Sequence, residues 1–294
     1  MLAMPQVSPK LLFEKNFFCS KMFFAQSYYV QGRKSPMAKS PAGRWLRIPA
    51  SRSLVRDVLH LERTVPTFAH DRIFQLAELA QCREQSAKKI AWPLLFIKAY
   101  AKMAADHPVL RQCYMRFPWA HLYEHPQQVA TLAIHRKHQD QDWLLWGRFV
   151  SPQLHSLEEL QQKLEHYRQQ PVPTIFRRQY RLAHFPTALR RLAWWMSYHL
   201  SGKKRCKRLG TYFLTTISGA GAEIQEPPCL HTSGFTYGPL DETGACRVTL
   251  SYDHRLLDGH HVATMLREFE ERLQTDILAE LQELGCLSVV RPAA

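Results

Sequence analysis

The sequence predicts an α/β domain, and three observations carry that expectation. Segments with apolar residues at helical spacing alternate with short β-rich segments over most of the chain. At 294 residues with 46% hydrophobic side chains, the chain can bury one large core or two small ones. No apolar run approaches the roughly 20 residues that span a bilayer, and the apolar N-terminal stretch is interrupted by Glu14, Lys15 and Lys21. Neither a transmembrane helix nor a signal peptide is predicted.

Taken in order, the first 45 residues read as a flexible appendage. An aromatic patch (Phe13, Phe17, Phe18, Phe23, Phe24) runs into the polar, proline-containing stretch from Gly32 to Gly43, and Met37 is an alternative start. The domain proper, residues 46–294, is expected to begin near Trp45. Residues 69–86 and 92–106 predict helices, the second with Leu95, Ile97, Ala99, Tyr100, Met103 and Ala104 along a broad face. Residues 128–134 and 143–150 predict strands around a polar turn. Ser156 predicts an N-cap for a helix to Gln169, with Glu159 completing a capping box. Residues 212–218 and 247–253 predict strands. A helix from about His261 to Gln274 follows, with Val262, Met265, Leu266, Phe269 and Leu273 at helical spacing.

The net charge of +14 is localised. Residues 1–45 hold seven Lys or Arg against one acid, and residues 171–210 hold ten with none, which leaves the remainder near neutral. Within the second segment, residues 187–200 predict a helix with Arg190 and Arg191 at one edge and Leu189, Leu192, Trp195, Met196 and Leu200 available for burial. The run Lys203, Lys204, Arg205, Lys207, Arg208 follows as a candidate docking surface for something anionic: an acidic acyl-carrier protein, coenzyme A phosphates or an anionic membrane surface. Nucleic acid is not expected, because no binding module accompanies the charge. Seven scattered cysteines, none in a C-x-x-C arrangement, signal neither a disulfide framework nor a metal site, and fit a cytoplasmic protein, peripheral at a membrane if at all.

Chemistry concentrates in Ser251-Tyr-Asp-His-Arg-Leu-Leu-Asp-Gly259. Strand alternation sets Val248, Leu250, Tyr252 and His254 on one face and ends the strand at His254. A desolvated, neutral imidazole there suits a general base. Asp258 can hold a nearby arginine or a backbone amide and lock the following bend, and Gly259 can supply a positive φ or close packing where the helix starts.

This string closely resembles the signature of the dihydrolipoamide acyltransferases of 2-oxoacid dehydrogenase complexes, and its His-x-x-x-Asp-Gly kernel resembles that of chloramphenicol acetyltransferase. Ile48 to Arg52, Thr64 to Pro66, Trp92 to Leu110 and Gly210 to Ser218 resemble further segments of that catalytic domain in the same order, over roughly residues 46–275. The resemblance implies a chloramphenicol acetyltransferase-like two-layer α+β sandwich with a mixed sheet, assembled as a homotrimer with active sites between subunits. It implies direct acyl transfer from a coenzyme A or phosphopantetheine thioester, with no tightly bound cofactor. His254 would act as base and Ser218, or else Thr215 or Thr216, as oxyanion donor. Asp258 would be structural, paired with Arg52 or Arg56.

The pattern departs from that family in three places. Nothing upstream resembles a lipoyl domain. The Ser218 to His254 stretch is short and contains Gly219-Ala-Gly-Ala222. Residues 171–210 are a basic insertion that the dehydrogenase enzymes lack. The expected function is a stand-alone acyltransferase of specialised-metabolite or lipid biosynthesis. A catalytically silent trimeric scaffold and a membrane-surface acyltransferase-like protein are the alternatives.

Overall fold

The computed structural model describes Trp45, residues 47–86 and residues 88–290, with side chains to residue 285. The basic N-terminal extension and Met37 lie outside the described residues. In chain order the strands are β1 (Thr67–Gln75), β2 (Gln112–Met115), β3 (His121–Glu124), β4 (Val129–His138), β5 (Gln141–Val150), β6 (Tyr212–Leu214), β7 (Ser233–Tyr237) and β8 (Ala245–Asp253). The helices are α1 (Ser53–Glu62), α2 (Ala77–Gln85), α3 (Trp92–Asp106), α4 (Leu157–Gln169), α5 (Val172–Ile175), α6 (Arg177–Ala183), α7 (Thr187–His199), α8 (Gly202–Leu209), α9 (Gly259–Arg272) and α10 (Leu278–Val290). None among the described residues is long and apolar enough to cross a membrane.

Six strands form one mixed sheet in the order β1-β8-β7-β6-β4-β5, parallel at β7-β6 and β6-β4 and antiparallel elsewhere. β2 and β3 form a separate hairpin. On one face α3 and α9 pack an aromatic core. Phe96 stacks on Tyr237 at 4.1 Å, Tyr100 on Phe235 at 4.9 Å, and Phe269 meets Phe74, Phe96, Tyr100 and Phe235 edge-on. The broad apolar face of α3 needs this, because Leu94 to Ile97 and Ala99 to Ala101 are all essentially buried. Such edge-to-face and offset arrangements add about 0.5–1.5 kcal/mol per pair beyond burial.

The opposite face is covered by α1 and by the basic insertion, α6 to α8. A buried ion pair between Asp57 of α1 and Arg190 of α7 ties these layers, the two side chains being 2% and 3% exposed. The outer edge of β5 is closed by side chains in place of a further strand. Gln179 accepts from the Trp146 amide (3.0 Å) and donates to its carbonyl (2.8 Å). The Tyr167 hydroxyl accepts from the Arg148 amide (3.2 Å) and donates to its carbonyl (3.0 Å). The opposite edge, β1, is exposed along Phe68 to Ile73.

Several expectations need correction. Residues 67–75 form the edge strand β1, although a helix was expected from residue 69, because they pair residue for residue with β8 and Phe74 is their one buried side chain; the helix α2 starts only at Ala77. The strand at residues 212–218 stops at Leu214, since the Thr216 hydroxyl bonds the Tyr237 carbonyl and turns the chain into a 3-10 turn at Ser218–Ala220. In α7 the burial is inverted. Arg190, Trp194, Ser197 and Tyr198 face inward, whereas Leu189, Leu192, Trp195, Met196 and Leu200 are 42–56% exposed. The Asp57 carboxylate selects the Arg190 side of that helix. The capping box at Ser156 and Glu159 forms as read, as do α3, β4 and β5.

Candidate active site

The chain turns sharply where β8 ends. Asp253, 1% exposed, accepts from the Arg255 amide (3.0 Å) and from its guanidinium (2.8 and 2.6 Å). The same guanidinium lies over the Tyr114 ring at 4.2 Å. The Leu256 and Leu257 amides close back on the Asp253 carbonyl, and the His254 amide donates to Pro66. His254 is thus held from both sides along the backbone.

Its ring is held as firmly. Nδ1 lies 2.7 Å from the Leu257 carbonyl oxygen, and a carbonyl can only accept, so Nδ1 carries the proton and Nε2 presents a lone pair. Phe68 meets the ring edge-on at 4.7 Å and Tyr252 at 5.7 Å. His254 is nonetheless exposed. The desolvation expected at this position is not provided by the described residues of one chain.

Asp258 does not pair with Arg52 or Arg56. It is the N-cap of α9: Oδ1 accepts from the His261 amide at 3.0 Å and lies 3.0 Å from His261 Nδ1. The bond from the His261 amide holds the Asp258 carboxyl below its ordinary pKa. Arg52 and Arg56 are exposed residues at the start of α1. Gly259 has no positive φ and packs closely against the exposed His70 ring. A Cβ there would lie 3.2 Å from His70 Nε2, and among the described residues the positive-φ glycines are 210, 221 and 244.

The three candidate oxyanion donors cluster away from His254. The Thr216 hydroxyl donates to the Tyr237 carbonyl (2.9 Å) and accepts from the Ser218 amide (3.1 Å), with the Ser218 hydroxyl 3.0 Å away. Thr215 and Ser218 are half-buried. Tyr237 pairs with Val248, six residues before His254 on β8, which at ~3.3 Å per residue sets this cluster about 20 Å from His254. One chain does not bring them together.

The basic run divides. Arg205 is 3% exposed and donates to the carbonyls of Tyr114 and Leu230 and to the Tyr198 hydroxyl, so it is structural and leaves the docking set. Lys203, Lys204, Lys207 and Arg208 are exposed. Sequence reading missed Phe68, which lies just before a segment read as helix, and the Leu257 carbonyl, which carries no sequence signal. It also missed His231, which is stacked on Phe213; its Nε2 donates to the Leu209 carbonyl at 2.9 Å, and burial pushes it down to about 4.

No protein-family model matches the chain, and no curated protein matches it in sequence. Solved structures do match in fold. The Azotobacter vinelandii dihydrolipoamide acetyltransferase is 16% identical over 85% of this chain and 99% of its own, with a TM-score of 0.55. A truncated catalytic core of the 2-oxoacid dehydrogenase multienzyme complex from Thermoplasma acidophilum is 11% identical over 79% of this chain and 99% of its own, with a TM-score of 0.57. A third is the cubic core of the pyruvate dehydrogenase multienzyme complex, 15% identical over 85% and 99%, with a TM-score of 0.55. The chain has the fold of these acyltransferase cores.

Proposed function

We propose that the protein is an acyltransferase that uses His254 to move an acyl group directly from a thioester to a thiol, hydroxyl or amine. The observation that carries this reading is the bond from His254 Nδ1 to the Leu257 carbonyl, which leaves Nε2 as an exposed acceptor at a rigid turn. Nε2 takes the acceptor's proton as it attacks the thioester carbonyl. The tetrahedral oxyanion then collapses, expels the thiolate and returns the proton to it. The Azotobacter protein of the same fold has a serine, a histidine and an asparagine in its catalytic mechanism, the last two four residues apart, as His254 and Asp258 are. Here Asp258 serves by capping α9 beneath the turn.

The roughly 20 Å between His254 and the Ser218 cluster argues for a site shared between copies, with His254 of one chain facing the hydroxyl of another, in a trimer. That contact would also supply the desolvation the isolated chain lacks. The donor is coenzyme A or an acidic carrier protein, steered by Lys203, Lys204, Lys207 and Arg208. A second reading, a membrane-surface enzyme acting on a lipid acceptor, is favoured by the exposed apolar ridge of α7 beside that basic run.

The test is formation of free coenzyme A and of the acylated acceptor, separated by chromatography, from acetyl- and palmitoyl-coenzyme A with dihydrolipoamide, glycerol and putrescine as acceptors. His254→Ala is expected to lower the rate by ~10²–10⁴-fold with the melting temperature unchanged. Wild-type turnover in that variant would overturn the mechanism.

A further inference from the structure

A cavity of about 670 Å³ lies between the sheet and the insertion helices, on the face opposite α3 and α9. That volume is within the roughly 300–1,000 Å³ typical of ligand pockets. The alternation of the strands makes it. Tyr212 and Leu214 point into the aromatic core while Phe213 and Thr215 line the cavity, and in β4 Ala130 and Leu132 alternate in the same way with Thr131 and Ala133. Its interior is apolar, formed chiefly by Leu54, Trp146, Leu182, Trp194, Phe213 and Leu230.

The rim differs from the interior. Arg178, Arg181 and Arg208 line it and are exposed, with Leu59 and Phe185 between them, and Arg148 is half-buried nearby. No Asp or Glu is among the lining residues, and no carboxylate among the described residues pairs with Arg178 or Arg181. Two lining residues carry buried polar atoms without a partner, Trp194 Nε1 and His231 Nδ1. Trp194 itself is 8% exposed. An apolar interior with unsatisfied polar atoms and an unpaired cationic rim is incomplete as a piece of protein core.

The charge decides what completes it. A second copy meeting it across a two-fold axis would oppose one cationic rim to another. The chain's own residues 1–45 carry a net +6, the same sign as the rim. We infer that the cavity binds a single-chain amphiphile, its long apolar chain inside and its anionic head at Arg178, Arg181 and Arg208. His254 lies off this cavity, since its ring meets Tyr252, whose side chain packs in the core on the other face of the sheet, while Thr215 and Arg208 belong to the lining.

The experiment is titration of the full chain with palmitate and with hexadecyl phosphate below their critical micelle concentrations, read by fluorescence of the cavity tryptophans and by calorimetry. The two probes separate a carboxylate head from a phosphate head, and saturable 1:1 binding of either is expected. Octanoate and uncharged hexadecanol are expected to bind at least about tenfold more weakly, since octanoate buries fewer methylenes and hexadecanol has no partner for the arginines. Ala193→Phe, which fills the cavity from α7, should weaken the tighter probe at least about tenfold with hexadecanol falling in parallel. The double variant Arg178→Gln, Arg181→Gln should weaken the anionic probes about tenfold and leave hexadecanol unchanged. Because both arginines are exposed, that variant decides the matter if the filled cavity does not fold. His254→Ala should bind as wild type does, so loss of turnover and loss of binding are separable. No binding of either anionic probe, equal binding of hexadecanol, or indifference to the arginine pair would overturn the proposal.

Discussion

The two faces of the six-stranded sheet are built from the same strands to opposite ends. Under α3 and α9, Phe96, Tyr100, Phe235, Tyr237 and Phe269 interlock with ring centroids 4.1–5.9 Å apart and essentially no exposure. Under α6 to α8, Trp194, Phe213 and Trp146 surround empty space, buried polar atoms go unpartnered, and the layer is fastened by an ion pair. Close packing confers stability and admits no ligand, whereas the hollow face gives up part of that stability for room. Alternate residues of one strand, Tyr212 and Phe213, belong to these two regimes.

The sharpest way to break the contrast is to truncate one ring on each face. Phe269→Ala is expected to cost about 3–5 kcal/mol, because four rings lose a neighbour and cannot collapse into the gap. Phe213→Ala borders space that already exists, and its cost should approach the transfer value alone, about 2 kcal/mol. Denaturant midpoints measured on both variants check this, and equal losses would mean the hollow face is as tightly packed as the other. The fastening comes next. Arg190→Ala leaves Asp57 buried and uncompensated and should cost about 3 kcal/mol, while Asp57→Leu with Arg190→Met should recover most of it. A double variant no more stable than the single one would show that the pair does more than join α1 to α7.

The smallest effect is one of pH. With His231 depressed to about 4 in the folded chain, the unfolded chain binds the extra proton between that value and an ordinary 6.5. Stability therefore falls as pH drops through this window, by about 1 kcal/mol between pH 7 and 5.5. Melting temperatures should show the slope in the wild type, and His231→Gln should lose that part of it. An unchanged slope would place the sensitivity elsewhere.

Much of the dense face was legible in the sequence, and little of the hollow one. The periodicities of residues 92–106 and of the helix after Gly259 report burial against a single partner, so Phe269 and Leu95 fall on the expected sides. In α7 the same reasoning put Leu189, Leu192 and Trp195 inward, because periodicity ranks apolar above charged. The position 133 residues earlier that makes Arg190 the buried residue is invisible to it. The string around His254 marked the turn, yet the tautomer rests on a main-chain carbonyl whose place depends on the whole turn. For Asp258 the residues alone allowed an arginine or a backbone amide as partner; the His261 amide takes that place, and the pairing with Arg52 or Arg56 that the resemblance implied does not form.

The junction of the insertion with the body constrains how this chain can change. Residues 171–210 look in sequence like a segment that could be cut out and the ends rejoined. Their removal would leave the Asp57 carboxylate without Arg190, uncover the Trp146 amide and carbonyl on the edge of β5, and take Arg205 from the Tyr114 and Leu230 carbonyls it satisfies. Each of those groups would need a separate compensating substitution before the shortened chain could fold as well as its parent. The segment is therefore no removable cassette, for a protein engineer or for a lineage losing one residue at a time. A route to a shorter form would have to alter the residues of α1 and β5 first, while the insertion is still in place.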